Sequence, residues 1–190
     1  MTKTNDGGPS TRMIVRVLGW GFFFLLMAIY FAQSLFPRQS PLVAQPAPAL
    51  EGLIVAGDGA ERGDRVSLES LRGRPVILDF WASWCPPCRE SIPILSRLAA
   101  THRDAGLVTL GVNVEGNQTR RFVQSAHRAL GAGFPTLHDE HYQMQAAYGV
   151  DSLPTLVLID RQGVVRRVEI GVPDEAALDA EIRDIIGENP

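Results

Sequence analysis

Cys85 and Cys88 are the only cysteines in the 190 residues, and they sit together in Phe80-Trp81-Ala82-Ser83-Trp84-Cys85-Pro86-Pro87-Cys88. Two thiols with two residues between them can close into a disulfide and reopen. A lone pair at this spacing reads as redox chemistry or as half a metal site; zinc normally takes a second pair or histidines at ligand spacing. The apolar run before the pair and the helical pattern after it (Ile92, Leu95, Leu98, Ala99) put Cys-x-x-Cys at a strand-to-helix junction. The first N–H groups of a helix lack intrahelical partners, and the helix dipole favours negative charge there. Cys85 is therefore expected to ionise readily and attack as thiolate, and Cys88 to resolve. Pro86 and Pro87 have no N–H to offer the Cys85 sulfur. A less stabilised thiolate makes a weaker oxidant, which leans toward a reductase; about 30 mV corresponds to tenfold in this two-electron equilibrium.

The elements that hold this pair follow from apolar periodicity. Val76 to Trp81 reads as a central strand, interrupted by Asp79. A strand buried on both faces should not carry an unpaired charged carboxylate, because burying it ionised is costly. The alternative is an aspartate on a partly solvated face. Leu53-Ile54-Val55 and Arg65 to Leu68 suit a hairpin, with a turn at Gly57-Asp58-Gly59. Leu107 to Val114 reads as a buried parallel strand, and Glu115 follows it. A helix over 119–130 should bury Phe122, Val123, Ala126 and Leu130, with Gly131 as its stop. Phe134 to Leu137 suggests a short strand and Tyr142 to Tyr148 a short helix; His138-Asp139-Glu140-His141 between them reads as a polar loop rather than metal ligands. Thr155 to Asp160 and Val164 to Ile170 form a second hairpin. A last amphipathic helix carries Leu178, Ile182, Ile185 and Ile186 behind an Asp174 cap.

Composition narrows the class. Lys and Arg number 18 against 21 Asp and Glu, so no basic excess argues for nucleic acid. Residues 1–12 are polar, and the N-terminal segment 1–16 precedes an uncharged run over 17–36, with Trp20 and Tyr30 suited to headgroup depth. About 20 apolar residues cross a hydrocarbon core of about 30 Å. Lys3, Arg12 and Arg16 precede the run and Arg38 follows it, which puts the N-terminus in the cytoplasm and the folded part outside. A cleaved signal peptide is the competing reading, but its apolar core is normally about 7–15 residues. The four prolines of residues 37–49 describe a stiff tether, and residues 50–190 suit one domain.

Trp81-Ala82-x-Trp84-Cys85-x-Pro87-Cys88 with Pro93, together with Ser152-Leu153-Pro154-Thr155, resembles the active site of the thioredoxin superfamily. The proline pair and Arg89 are similar to membrane-anchored TlpA/ResA-type thiol–disulfide oxidoreductases, over roughly residues 47–188. The resemblance implies an α/β thioredoxin-like fold: a central mixed sheet flanked by helices, with an N-terminal β-hairpin extension and a central insertion, preceded by one transmembrane helix. It implies that Asp79 relays the proton of Cys88 and that Pro154 is a cis-proline facing the dithiol. Leu153, Trp84, Pro86 and Pro87 would then meet the substrate. ResA-type proteins usually lack an acid at the Asp79 position, which is the more thioredoxin-like feature. Glu115 is a further candidate, one position short of the glutamate some ResA-type proteins carry. The implied activity is reduction of disulfides in extracytoplasmic proteins, in cytochrome c maturation or copper-site assembly, with no cofactor and with a membrane electron donor of the thiol-reductase type. A bacterial inner membrane with a periplasmic catalytic domain is the implied location. The rivals are a general disulfide oxidase or isomerase, a thiol peroxidase, for which the Thr-x-x-Cys pattern is missing, and a copper-binding assembly protein.

Overall fold

Val76–Trp81 form strand β3, and every one of its six residues is buried. Burying each large side chain there contributes about 1.5–3 kcal/mol. The strand has partners on both sides. Its C-terminal end leads through Ala82-Ser83-Trp84 to the two cysteines.

A computed structural model of the chain describes residues 20–31, 40–61 and 63–187. Two units are present and are described separately. In the first, residues 20–31 form helix α1, whose large apolar side chains, among them Trp20, Phe24 and Phe31, are exposed. Among the described residues no helix is long and apolar enough to cross a membrane. The expected N-terminal segment 1–16, both ends of the expected span 17–36 and residues 37–39 of the tether lie outside the described residues.

The second unit is a seven-stranded mixed sheet in the order β2-β1-β5-β4-β3-β6-β7 with helices packed on it. β1 (Glu51–Ala56) and β2 (Arg65–Ser67) form the expected antiparallel hairpin, and a 3-10 turn over Glu69–Leu71 leads on to β3. Helix α2 (Cys88–His102) carries β3 over to β4 (Val108–Asn113), which lies parallel to it. Helix α3 (Arg120–Leu130) then leads to β5 (Thr136–His138), parallel to β4 and antiparallel to β1. The short α4 (Gln143–Ala147) precedes β6 (Thr155–Ile159) and β7 (Val165–Ile170). β6 runs antiparallel to β3, and β7 antiparallel to β6. Helix α5 (Glu175–Gly187) closes the chain, with the Asp174 carboxylate accepting from Ala177 N at 2.8 Å as its cap.

The part of the tether that is described is built into the sheet. Ala44 N donates to Val165 O at 2.8 Å, Val165 N to Gln45 O at 2.9 Å and Ala47 N to Gly163 O at 2.9 Å. Residues 44–47 thus hold the N-terminal end of β7, the end remote from Ile170.

Helix α2 buries Cys88, Ser91, Ile92, Leu95, Leu98, Ala99 and His102, a stripe at helical spacing. Its outer turns meet α5: Arg97 makes a two-pronged pair with Glu175 at 3.0 and 2.7 Å, and His102 Nε2 lies 2.6 Å from Asp179 Oδ1. On α3 the expected apolar face needs correction. Phe122 is 40% exposed, and His127 is buried instead, its Nε2–H donating to Phe134 O at 2.9 Å. Val123, Ala126, His127 and Leu130 recur at three- and four-residue steps and share one face. Phe122 falls one position, about 100°, to its side.

Candidate active site

The two cysteines are joined, with an S–S distance of 2.12 Å. Regular helix begins at Cys88, so Cys85 stands three residues before α2 rather than at its first position, and Pro87 is the cap residue with no side-chain bond of its own. The Cys85 sulfur takes the capping role: Cys88 N donates to Cys85 Sγ at 3.2 Å. That sets the sulfur against the first N–H of α2, at the helix end where partial positive charge gathers. Pro86 and Pro87 add no donor, as their chemistry requires.

Asp79 lies two residues before Trp81 at the centre of β3 and is fully buried. Neither carboxylate oxygen has a hydrogen-bond partner among the described residues. In register it faces Gly111 on β4 and Leu156 on β6. Burial raises its pKa from 3.8 to about 7. A partly solvated aspartate, the alternative open on sequence grounds, is not what the fold contains. Trp81 is buried beside it, while Trp84 is 66% exposed.

β6 supplies the opposite wall. Thr155 pairs with Phe80, so the turn before it lies at the same end of the sheet as the cysteines. The Leu153–Pro154 peptide bond is cis. The turn is held from both sides: Thr155 Oγ1 donates to Ser152 O at 2.7 Å and Gly171 N to Pro154 O at 2.9 Å. Leu153's own N–H and C=O have no hydrogen-bond partner among the described residues. A groove of about 440 Å³ runs between the two walls, lined by Trp84, Cys85, Pro86, Pro87, Glu115 and Leu153 among others. Cys85 lines it and Cys88 does not. A larger cavity of about 790 Å³, bounded by Leu50, Arg72, Arg120 and Met144, does not reach the cysteines.

Glu115 is not a free, solvent-exposed strand end, and it lines the groove together with Cys85. It is 6% exposed and accepts hydrogen bonds from the backbone N–H and the hydroxyl of Ser83, two residues ahead of Cys85. His138 closes β5 and is buried, with its Nε2–H donating to Glu115 O at 3.0 Å. The Asp139 carboxylate caps α4, accepting from Met144 N at 3.2 Å and Gln145 N at 2.7 Å. Of the expected polar loop, His138 and Asp139 are buried, while Glu140 and His141 are exposed. Among the described residues no group of three or more His, Cys, Asp or Glu is placed to hold a metal.

Two residues of the site escaped the sequence reading. Ile170 is 68% exposed and Val172 is exposed as well, and the Gly171 bond to Pro154 sets both beside the cis-proline turn. The available signal was an apolar Ile-Gly-Val at the end of a strand whose other residues could have been solvated.

A disulfide opening onto a groove, a free backbone edge at Leu153 and a proton-binding carboxyl buried in the strand that leads to the cysteines suit exchange with an extended segment of another protein. Comparison with known proteins agrees. Residues 43–168 match the AhpC/TSA family. The thiol-disulfide oxidoreductase ResA of Geobacillus kaustophilus is 31% identical over 124 residues, 65% of this chain and 70% of that one. ResA of Bacillus subtilis is 32% identical over 116 residues, 61% and 64% of the two chains. A Chlorobium tepidum crystal structure assigned as a thiol:disulfide interchange protein DsbE superposes with a TM-score of 0.67 at 31% identity, covering 76% of this chain and 98% of that one.

Proposed function

Because the chain belongs to the AhpC/TSA family, as a TlpA/ResA-like thiol–disulfide oxidoreductase of the thioredoxin superfamily, we propose that it reduces disulfides in extracytoplasmic partner proteins. The observation that carries this is the Cys85–Cys88 couple at the groove, with a single backbone N–H on the Cys85 sulfur. Few donors leave the thiolate less stabilised, and the dithiol then gives up electrons more easily.

In the reduced form the Cys85 thiolate attacks one sulfur of the partner's disulfide. The S–S bond breaks, a mixed disulfide forms, and the departing partner thiolate takes up a proton. Asp79, ionised, accepts the Cys88 proton. The Cys88 thiolate then attacks Cys85 Sγ and expels the partner's second thiolate. Two electrons have passed to the partner, and Cys85–Cys88 is oxidised. A membrane electron donor of the thiol-reductase type returns the pair to dithiol. Pro154 and Leu153 hold the partner's backbone by strand addition. Trp84, Pro86, Pro87, Ile170 and Val172 offer apolar surface around the attacked sulfur.

The uncharged run 17–36 serves as a single-pass anchor in the inner membrane, with a cytoplasmic N-terminus and the second unit in the periplasm. Exposed apolar side chains along α1 support this reading. The substrates are cysteine pairs of the kind found in apocytochrome c or copper-site assembly proteins. Peroxide chemistry is disfavoured despite the family's breadth, because Trp84-Cys85-Pro86-Pro87-Cys88 occupies the place of a Thr-x-x-Cys motif. The decisive experiment is Cys88→Ser in the full chain. It should accumulate mixed disulfides through Cys85, identified by mass spectrometry of the captured partners. A variant that captures nothing, from a parent that cycles normally, would remove Cys85 as the attacking thiol.

A further inference from the structure

The turn that carries Trp84 and Cys85 is held from below by a carboxylate thirty-two residues further along the chain. Glu115 Oε2 accepts from Ser83 N at 2.7 Å, and its Oε1 accepts from Ser83 Oγ at 2.8 Å. Oε2 also accepts from Asn113 Nδ2 at 3.0 Å. Glu115 is itself fixed at the backbone: its N–H donates to Asn113 Oδ1 at 3.1 Å, and its C=O accepts from His138 Nε2 and from Gln118 N. Among the described residues, Ser83 makes its hydrogen bonds to Glu115 alone. The Ala82–Cys85 turn closes on itself through Cys85 N to Ala82 O at 3.2 Å.

We infer that Glu115 is a positioning residue for the dithiol: by clamping Ser83 it sets the direction in which Trp84 and Cys85 face the groove. The inference rests on the reading of this site as a thiol–disulfide exchanger. A buried carboxylate that saturates three donors is a rigid support, since letting go of any one leaves a buried polar group unsatisfied. Attack on a disulfide needs the sulfur in line with the bond it breaks. Displacements of about 1 Å at a reacting group cost up to about a hundredfold in rate. Among the described residues no hydrogen bond joins Glu115 to either sulfur, and its effect passes through Ser83.

Hydrogen-bond chemistry separates support from charge. In Glu115→Gln the amide oxygen can stand where Oε2 stands, accepting from Ser83 N and Asn113 Nδ2. The amide N–H can donate to Ser83 Oγ, because a hydroxyl accepts as readily as it donates. Glu115→Ala removes all three bonds. Ser83→Ala removes only one and leaves no hole.

The test uses the full chain in detergent micelles, reduced and then mixed with insulin or with oxidised glutathione. It reads the second-order rate, the pH profile of Cys85 alkylation by iodoacetamide, and the melting temperature. Glu115→Ala should lose at least about tenfold in rate with either probe and shift the alkylation profile. Ser83→Ala should fall between it and the parent, and Glu115→Gln should restore most of the loss. Should Glu115→Ala fail to fold, the comparison of Ser83→Ala with Glu115→Gln decides in the same way. A glutamine variant as slow as the alanine variant, or alanine variants that melt earlier yet react at the parental rate and pH, would overturn the inference. A parent chain that reduces neither probe would instead overturn the proposed function.

Discussion

Asp79 on β3 stands in register with Gly111 on β4, so the strand beside the buried carboxyl presents no side chain to it. Leu156, its partner on the other flank, is apolar. The carboxyl is left to desolvation alone, which is the cause of its raised pKa.

A pH dependence of stability follows from that isolation. The folded-state pKa, about 7, lies above the ordinary value of 3.8. The native state therefore holds a proton the unfolded chain has released. The contribution of this residue is complete below the ordinary value and is lost as pH rises through about 7. Asp79→Asn has no such loss. It should be more stable than the parent at pH 8 by on the order of 2–4 kcal/mol, with the gap closing near pH 4. Urea titrations of the oxidised protein across this range read it, and parallel curves would show that Asp79 is not the group responsible.

The same substitution should separate the two chemical steps. Capture of a partner by Cys85 should change little, whereas release of the mixed disulfide should slow by about 10²–10⁴-fold if Asp79 takes the Cys88 proton. Rapid-quench detection of the mixed disulfide checks this; equal slowing of both steps would deny a relay.

Gly111 should not tolerate a methyl group. A Cβ there would meet Thr136 Oγ1 at 2.6 Å, Trp81 Nε1 at 2.9 Å and Phe134 Cε2 at 3.1 Å. All three neighbours are buried, and overfilling such a spot costs about 1–3 kcal/mol. Denaturant unfolding of Gly111→Ala measures the loss, and an altered Trp81 emission would place the disturbance.

The exposed apolar rim should affect partners and not the fold. Trp84→Ala and Ile170→Ser should shift stability by less than about 0.5 kcal/mol, as surface changes do. Turnover of a protein disulfide should fall several-fold, chiefly through KM, with oxidised glutathione reduced at close to the parental rate. An equal loss with both substrates would put these side chains in the chemistry instead.

The contact of His102 with Asp179 should be structural. Asp179→Ala leaves a buried imidazole nitrogen without its acceptor and frees α5 from the C-terminal turn of α2. A cost of about 1–3 kcal/mol is expected, with exchange rates unchanged. Thermal melts and insulin reduction on one preparation test both halves.

Much of this site could be read along the chain because its signals are local. Val76–Trp81 is bounded by proline on one side and the cysteine motif on the other, and its β-branched and aromatic content leaves little choice of state. Asp79 was conspicuous as the one charge in that run. What stayed hidden depends on residues far apart. Ser83 and Glu115 meet only because β3 and β4 run side by side, and no local pattern pairs them. Ile170 and Val172 join the rim only because β7 ends where the Pro154 turn begins. On α3, hydrophobicity favoured Phe122 over His127, but helical phase and the free carbonyl of Phe134 decided for the histidine.

Residues 44–47 are stitched to the start of β7, and the sulfurs open beyond the other end of the same sheet, about 17 Å further along the strands. Three backbone bonds, at Gly163 and Val165, make that seam. It shares no residue with the cysteine turn, so making and breaking the S–S bond at one rim of the sheet leaves the strand pairing at the opposite rim undisturbed.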